Sequence, residues 1–494
     1  MTKGKDHFSR RWVLGAMLAG AAVPVGAEAP LTSIRPLRRG AVAKPAFPDA
    51  AGLIEAAKLG GTLGFVVADA ATGRVLEALQ PALMQPPASV AKAMTALFAL
   101  EKLGAGHRFS TQVLATGPLS GGRIMGDLVL LGSGDPTLST DHFGDMTARL
   151  AARGVRSVSG RFLVYGGALP AIDQISADQP DHVGYNPSIG GLNLNFNRVN
   201  FEWKRVSGDY RVTMDARGER FVPLVDMARM QIADRESPLF TYRQDGGVDN
   251  WTVASAALGN GGSRWMPVRQ PEIYAAEVFR TLAAAHGIVL PQAQRVDLVP
   301  KGAVMVENRS DPMVTILRDM LKFSTNLTAE VLGLVSSGAT DLAASAGTMS
   351  RWAGAAYGVD ARYVDHSGLN GASRISAADM VRALVGARAD PNGAALRSIL
   401  RDVGMRDAAG KETKDHPVRV LAKSGTLNFV SGLAGYIVPP RGPELAFAIF
   451  AADTARRDGL TEAEREQPEG GEAWTRRARR LQGQLIGRWA GIYA

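Results

Sequence analysis

The sequence predicts an α+β fold: an antiparallel sheet flanked by helices, split by a β-rich insertion of one or two small domains. Three observations predict it. Apolar strand-like runs stand at both ends of the chain, helical apolar spacing brackets its middle, and residues 108–300 change texture to short strands between Gly-rich turns. With 494 residues, 46% hydrophobic and 21% charged, the chain is long enough for several packed cores and is neither disordered nor membrane-spanning in composition.

Residues 1–27 have a basic start, an apolar stretch from Trp12 to Val25 and small residues around Ala27, the pattern of a cleaved secretory signal. The apolar stretch falls short of the about 20 residues a membrane span requires. Ser9-Arg10-Arg11-Trp12-Val13-Leu14 resembles a twin-arginine export signal, so an exported, periplasmic protein with no transmembrane anchor after cleavage is expected. Residues 28–49, rich in proline and without hydrophobic period, read as a flexible leader.

The first domain part spans 50–107. Gly61–Asp69 reads as a buried strand, Ala71-Thr72-Gly73 as a turn and Arg74–Leu79 as the second arm of a hairpin. Gln85-Pro86-Pro87 forces extended backbone before a helix from Ser89 to Leu103, stopped by Gly104. Within 108–300 the strands expected are Phe109–Thr116, Arg123–Leu131, Val158–Tyr165, Leu192–Trp203 and Tyr210–Met214, with a single helix, Pro271–His286. The second domain part, 301–494, returns to helices at Pro312–Lys322, Leu327–Leu334, Ala343–Tyr357 and Ser376–Ala387. Strands follow at Arg419–Ala422, Gly432–Val438 and Leu445–Ala452, and the helix Glu472–Trp489 ends the chain. Strands from both ends are expected to share one sheet covered by that helix.

The chain has no cysteine, which excludes disulfides, thiolate nucleophiles and Cys-ligated metals. Its formal net charge of +9 favours anionic partners; with an export signal, nucleic acid is not among them. The seven histidines show no metal-ligand spacing, and no metal or cofactor is expected. Asp365-His366-Ser367 looks like a triad, but adjacent residues in a turn seldom face one another. Gly132-Ser133-Gly134-Asp135 is a tight turn with no Lys-[Ser/Thr] to make it a phosphate loop.

Chemistry centres on Ser89 and Lys92, which share a helix face one turn apart. Alone, this spacing also fits a solvated polar corner. Two further patterns join it in order, Ser324-Thr325-Asn326 after a helix and Lys423-Ser424-Gly425 in a strand. A serine hydroxyl needs a neighbouring base, and an ordinary lysine is already protonated. Crowding Lys92 with Lys423 and Lys322 would favour its neutral amine. Ser324 can bridge protons to a leaving amine, and Asn326 can bond a substrate amide. Lys423, Ser424 and Thr426 can hold a carboxylate, and their strand edge can pair with an extended peptide.

This ordered set resembles the serine acyltransferases of the penicillin-recognising superfamily. The 235 residues from Ser89 to Ser324 are longer than in β-lactamases, and the chain looks like the class C penicillin-binding proteins, the D-alanyl-D-alanine carboxypeptidase/endopeptidase family. The segments GDLVLLGSGDPTL (126–138), SIGGLNLNFNRV (188–199), EIYAAEVFRTLAAAHGI (272–288), DHSGLNGASRIS (365–376) and KSGTLNFVSGLAGY (423–436) are similar too. The resemblance implies a β-lactamase/DD-transpeptidase-like domain that hydrolyses peptidoglycan stem peptides and cross-links and is acylated by β-lactams. It makes Ser89 the nucleophile, Lys92 its base, Ser324 a proton relay, Asn326 a positioning group and Lys423 with Ser424 a carboxylate site. Backbone N–H groups of Ser89 and Thr426 would form the oxyanion hole, worth about 3 kcal/mol per donor. A β-lactamase or esterase on the same scaffold, or an inactive wall-binding protein, are the alternatives; oligomeric state stays open. One departure stands out: family members carry an acid directly after the strand read here as Val158–Tyr165, where this chain has Tyr165-Gly166-Gly167, and Asp173 comes late.

Overall fold

A computed structural model describes residues 47–407, 411–413, 415–461 and 464–494, so the expected signal and most of the leader lie outside the described residues. Six antiparallel strands form the central sheet in the order Arg401–Asp402, Arg419–Leu427, Val430–Val438, Leu445–Ala452, Thr62–Asp69, Val75–Leu79. The two chain ends meet where Leu445–Ala452 pairs with Thr62–Asp69 along its whole length.

Strand alternation divides the sheet's two faces. Leu63, Phe65 and Val67 point to one side, with Phe447 and Ile449, under Trp474, Leu481, Leu485 and Trp489 of the terminal helix Gly471–Tyr493. The Trp489 ring lies 5.4 Å from that of Phe65 and 6.2 Å from that of Phe447. Val66 and Ala68 point to the other side, into a second core built on the helices Ala91–Leu103, Met313–Phe323, Leu342–Tyr357 and Ala377–Ala389. Leu445–Ala452 is buried at every position because both of its faces are covered, which is why it reads as an unbroken apolar run.

The middle of the chain has its own apolar core. A five-stranded sheet runs Ala293–Arg295, Phe162–Tyr165, Leu128–Gly132, Ser110–Ala115, Ala303–Arg309, and two three-stranded sheets between Arg198 and Pro267 are inserted in the chain between its strands Phe162–Tyr165 and Ala293–Arg295. The chain enters on Ser110–Ala115 and leaves on its antiparallel neighbour Ala303–Arg309. Two expected strands are broken. Arg123–Ile124 pairs in a small separate sheet before Leu128–Gly132 begins, and Leu194–Phe196 forms a 3-10 turn with left-handed backbone from Asn195 to Asn197 before Arg198–Val206. A second helix, Thr140–Ala152, stands where none was expected. It starts on a capping box in which the Ser139 hydroxyl accepts the His142 N–H and the His142 ring accepts the Ser139 N–H. Histidine in place of Glu or Gln hides that start, and Gly144 dilutes the helical pattern; it is there because the Phe221 ring packs where a Cβ would be. No helix among the described residues is long and apolar enough to cross a membrane.

Candidate active site

Pro86 and Pro87 lead into a short 3-10 turn, Ala88–Val90, which runs directly into the helix Ala91–Leu103. Ser89 sits in that turn at the head of the helix, where unpaired N–H groups and the helix dipole favour negative charge. Lys92 is one turn further in. The polar-corner reading fails here, because Lys92 is 0% exposed and the helix is buried from Ala91 to Leu100.

The Lys92 ammonium nitrogen lies 3.0 Å from Ser89 Oγ, 2.7 Å from Asn326 Oδ1 and 2.8 Å from the Ser367 carbonyl oxygen. Burial, and then the Lys423 cation, push its pKa well below the usual lysine range, while Glu330 and Asp365 pull the other way. Lys322 does not contribute: it is exposed, with its cation over the Phe323 ring. With its proton gone, the amine has two N–H bonds to give and one lone pair. Two carbonyl-type acceptors fix the N–H bonds and leave the lone pair for Ser89 Oγ.

The other motifs converge on the same point. Ser324 ends the helix Met313–Phe323 in a left-handed conformation, φ 59° and ψ 38°, and the helix Asn326–Ser337 starts two residues later. Lys423 Nζ donates to Ser324 Oγ at 3.1 Å and to the Ser424 carbonyl at 2.7 Å. Burial and then Arg401 lower its pKa to about 8. Ser324 thus bonds Lys423, while Lys92 takes Ser89 and Asn326. The Asn326 amide nitrogen donates to the Tyr185 carbonyl at 2.9 Å, so the middle of the chain supplies one wall of the site. Arg479 of the terminal helix donates to Thr426 Oγ1 at 3.2 Å.

Gly425 lets the strand reach the nucleophile turn. A Cβ there would lie 2.7 Å from Pro87 O, 2.8 Å from Ser89 N and 2.9 Å from Val90 N, all backbone atoms. Strand and turn are therefore in main-chain contact, and the Ser89 amide lies at the seam.

Two residues that the motifs do not contain hold the base in place. Glu330, one helical turn past Asn326, accepts the His366 N–H at 2.9 Å and the Ser367 N–H at 2.8 Å. Asp365 accepts the Gly368 and Asn370 N–H groups and the Ser373 hydroxyl. Burial, and then the neighbouring Asp365, push the Glu330 pKa well above the ordinary carboxylate range. His366 faces Ser345, 2.7 Å away, and burial keeps it neutral with a pKa near 3. No Ser-His-Asp triad forms within 365–367. A polar residue at i+4 from Asn326 inside an apolar helix was the available signal for Glu330.

Ser89, Ser324, Asn326 and Thr426 line a cleft of about 1180 Å³ with Tyr185 and Asp178. One rim is pinned by Glu466, which bonds His182 at 2.8 Å and Arg264 at 2.7 Å and is held at a pKa of about 2 by them. A smaller cavity of about 220 Å³ opens from Ser89 on the Lys423–Ser424 side. Asp173 lines neither; it borders a separate cavity of about 380 Å³, and Asp178 is the acid of its stretch that reaches the cleft.

The sequence profile of the D-Ala-D-Ala carboxypeptidase 3 (S13) family matches residues 50–474. The chain belongs to this family. It is 30% identical over 458 residues to the D-alanyl-D-alanine carboxypeptidase of Actinomadura sp. (strain R39), covering 82% of this chain and 83% of that protein. It is 22% identical over 421 residues to the D-alanyl-D-alanine carboxypeptidase DacB of Haemophilus influenzae, covering 79% and 85%. The crystal structure of penicillin binding protein 4 (dacB) from Haemophilus influenzae superposes with a TM-score of 0.69 at 17% identity, over 90% of this chain and 100% of that one. The same protein complexed with a β-lactam gives a TM-score of 0.68, at 17% identity over 89% and 100%. The fold is thus the penicillin-binding fold with insertions, and the S13 chain is a serine-type D-Ala-D-Ala carboxypeptidase, a hydrolase.

Proposed function

We propose that Ser89 is the nucleophile of this peptidase and is acylated by peptidoglycan stem peptides. Lys92 takes the Ser89 hydroxyl proton as Oγ bonds to the carbonyl carbon of a D-Ala–X amide. The oxyanion faces the N–H groups of Ser89 and Thr426, and the proton passes from Lys92, through Ser324 Oγ, to the departing amine. Water then attacks the acyl-Ser89 ester, its proton returns to Oγ, and Lys92 is again neutral. Lys423, Ser424 and Thr426 hold the carboxylate of the leaving residue, and Asn326 orients the acyl side. The observation that carries this reading is the 3.0 Å contact of Ser89 Oγ with a buried lysine that has no carboxylate bonded to it.

An open strand edge accepts a free stem end and a cross-link alike, so the same site acts as carboxypeptidase and as DD-endopeptidase. β-Lactams present the same amide and acylate Ser89 in a long-lived adduct. Residues 50–107 and 301–494 are read as one peptidase domain and 108–300 as inserted, with residues 1–27 directing export to the periplasm by the twin-arginine route. Intact-mass measurement after penicillin treatment tests the reading. Wild type gains one penicillin mass and Ser89→Ala none; equal labelling of both overturns it, and rapid release of hydrolysed penicillin assigns the site to a β-lactamase instead.

A further inference from the structure

The smaller cavity beside Ser89 carries more positive charge than one carboxylate uses. Lys322, Arg401 and Lys423 all line it, and among the described residues no acidic one does. Among the described residues neither Lys322 nor Arg401 has an ion-pair partner; Lys322 rests on the exposed Phe323 ring. Asp402, next to Arg401, is turned away and bonds Arg419 at 2.9 Å and the Gly404 N–H at 3.1 Å. Arg401 and Lys423 repel one another across this small cavity, and the Arg401 charge already lowers the Lys423 pKa. An anion bound between them would remove that repulsion.

Strand geometry says which part of a substrate arrives there. The short strand Arg401–Asp402 pairs with Ala422 and Leu421 only, so the edge from Lys423 to Leu427 is open just beside it. With the scissile carbonyl at Thr426 and the leaving carboxylate at Lys423 and Ser424, a bound peptide runs antiparallel to that edge. It then points its leaving residue at Arg401, in line with the two-residue strand. One carboxylate takes Lys423 and the hydroxyls; Arg401 and Lys322 remain on the outer wall.

We propose that this cavity is a second-anion subsite selecting leaving groups that carry a further carboxylate next to the one beside the attacked nitrogen. A single D-alanine leaves Arg401 and Lys322 unused. A diacid amine engages them as well, so such leaving groups are favoured over D-alanine. The inference rests on the Ser89 reading given above.

Two donors with the same acyl-D-Ala part, one releasing D-alanine and one releasing D-glutamate, separate the possibilities. Wild type is expected to cleave the D-glutamate donor with a kcat/KM at least equal to that for the D-alanine donor, the advantage shrinking in high salt. In Arg401→Ala/Lys322→Ala the D-glutamate value should fall about tenfold or more while the D-alanine value changes little, and Arg401→Lys should keep most of the preference. An unchanged ratio between the donors, or an equal fall for both, overturns the subsite while leaving the Ser89 reading intact. Failure of wild type to cleave either donor overturns both.

Discussion

Adding one methyl group at Gly425 tests whether the strand and the nucleophile turn must touch. The new Cβ would lie 2.8 Å from Ser89 N and 2.7 Å from Pro87 O, whereas ordinary contact begins at 3.4 Å. The two segments would have to part by about 0.6–0.7 Å, and no side chain can rotate to absorb it because each opposing atom is main chain. A shift of that size takes a 2.9 Å hydrogen bond to the edge of the bonding range. Gly425→Ala should therefore behave as the loss of one oxyanion donor, a fall of about 10²–10³ in acylation rate, together with about 1–3 kcal/mol of lost stability from overpacking. The assay is the second-order rate of penicillin acylation, followed by intact mass on protein whose folding is checked by calorimetry. Gly432, paired with Gly425 in the neighbouring strand, is the internal control. Its Cβ would meet Phe450 at 3.0 Å, Pro87 O at 3.1 Å and Val90 Cγ2 at 3.1 Å, and two of those are side-chain atoms that can give way. Gly432→Ala should be the milder change. If Gly425→Ala acylates within threefold of wild type, the seam is not an oxyanion hole and the argument from close approach fails.

Three further outcomes are expected. Lys423 titrates near 8 in the folded chain against 10.5 for an ordinary lysine, so the cation that holds the leaving carboxylate is lost above pH 8. KM for carboxylate-ended donors should climb from pH 8 to 9.5, and a flat KM across that range counts against the assigned role. The linkage to stability has a definite sign. Between pH 8 and 10.5 the unfolded chain binds the proton and the folded one does not, so folding stability should rise through that window by about 3 kcal/mol, since each tenfold difference in proton affinity is worth about 1.4 kcal/mol. Glu330→Gln removes the carboxylate that accepts two N–H groups from the His366–Ser367 backbone. It should cost about 1–3 kcal/mol for a buried donor left unpaired and lower acylation per active site, because the Ser367 carbonyl that orients Lys92 is no longer held; thermal melting and acylation normalised by penicillin titration measure the two.

How far the sequence reveals this molecule depends on whether a feature is carried by side-chain pattern or by backbone. The sheet was legible because Thr62–Asp69 and Leu445–Ala452 are covered on both faces and so read as apolar runs. The terminal helix was legible from Leu481, Leu485 and Trp489 at helical spacing, all of which meet the sheet. Thr140–Ala152 was not, since its start signal is a histidine acting where Glu or Gln is usual. At the site, Ser89, Lys92, Ser324, Asn326 and Lys423 could be brought together from order and chemistry alone. The two acceptors that decide the direction of the Lys92 lone pair were only half visible: Asn326 is a side chain, but the other is the carbonyl of Ser367, and a carbonyl has no letter in the sequence. The same limit explains the misjudged role of Lys322. Counting nearby cations predicted that it would depress Lys92, yet burial is the larger cause, the chain's direction after Leu321 turns Lys322 outward, and only Lys423 remains inside. A neutral lysine base is thus produced mainly by enclosing it. The carboxylates of Glu330 and Asp365, which oppose that neutrality, are tolerated because they fix the loop whose carbonyl aims the amine.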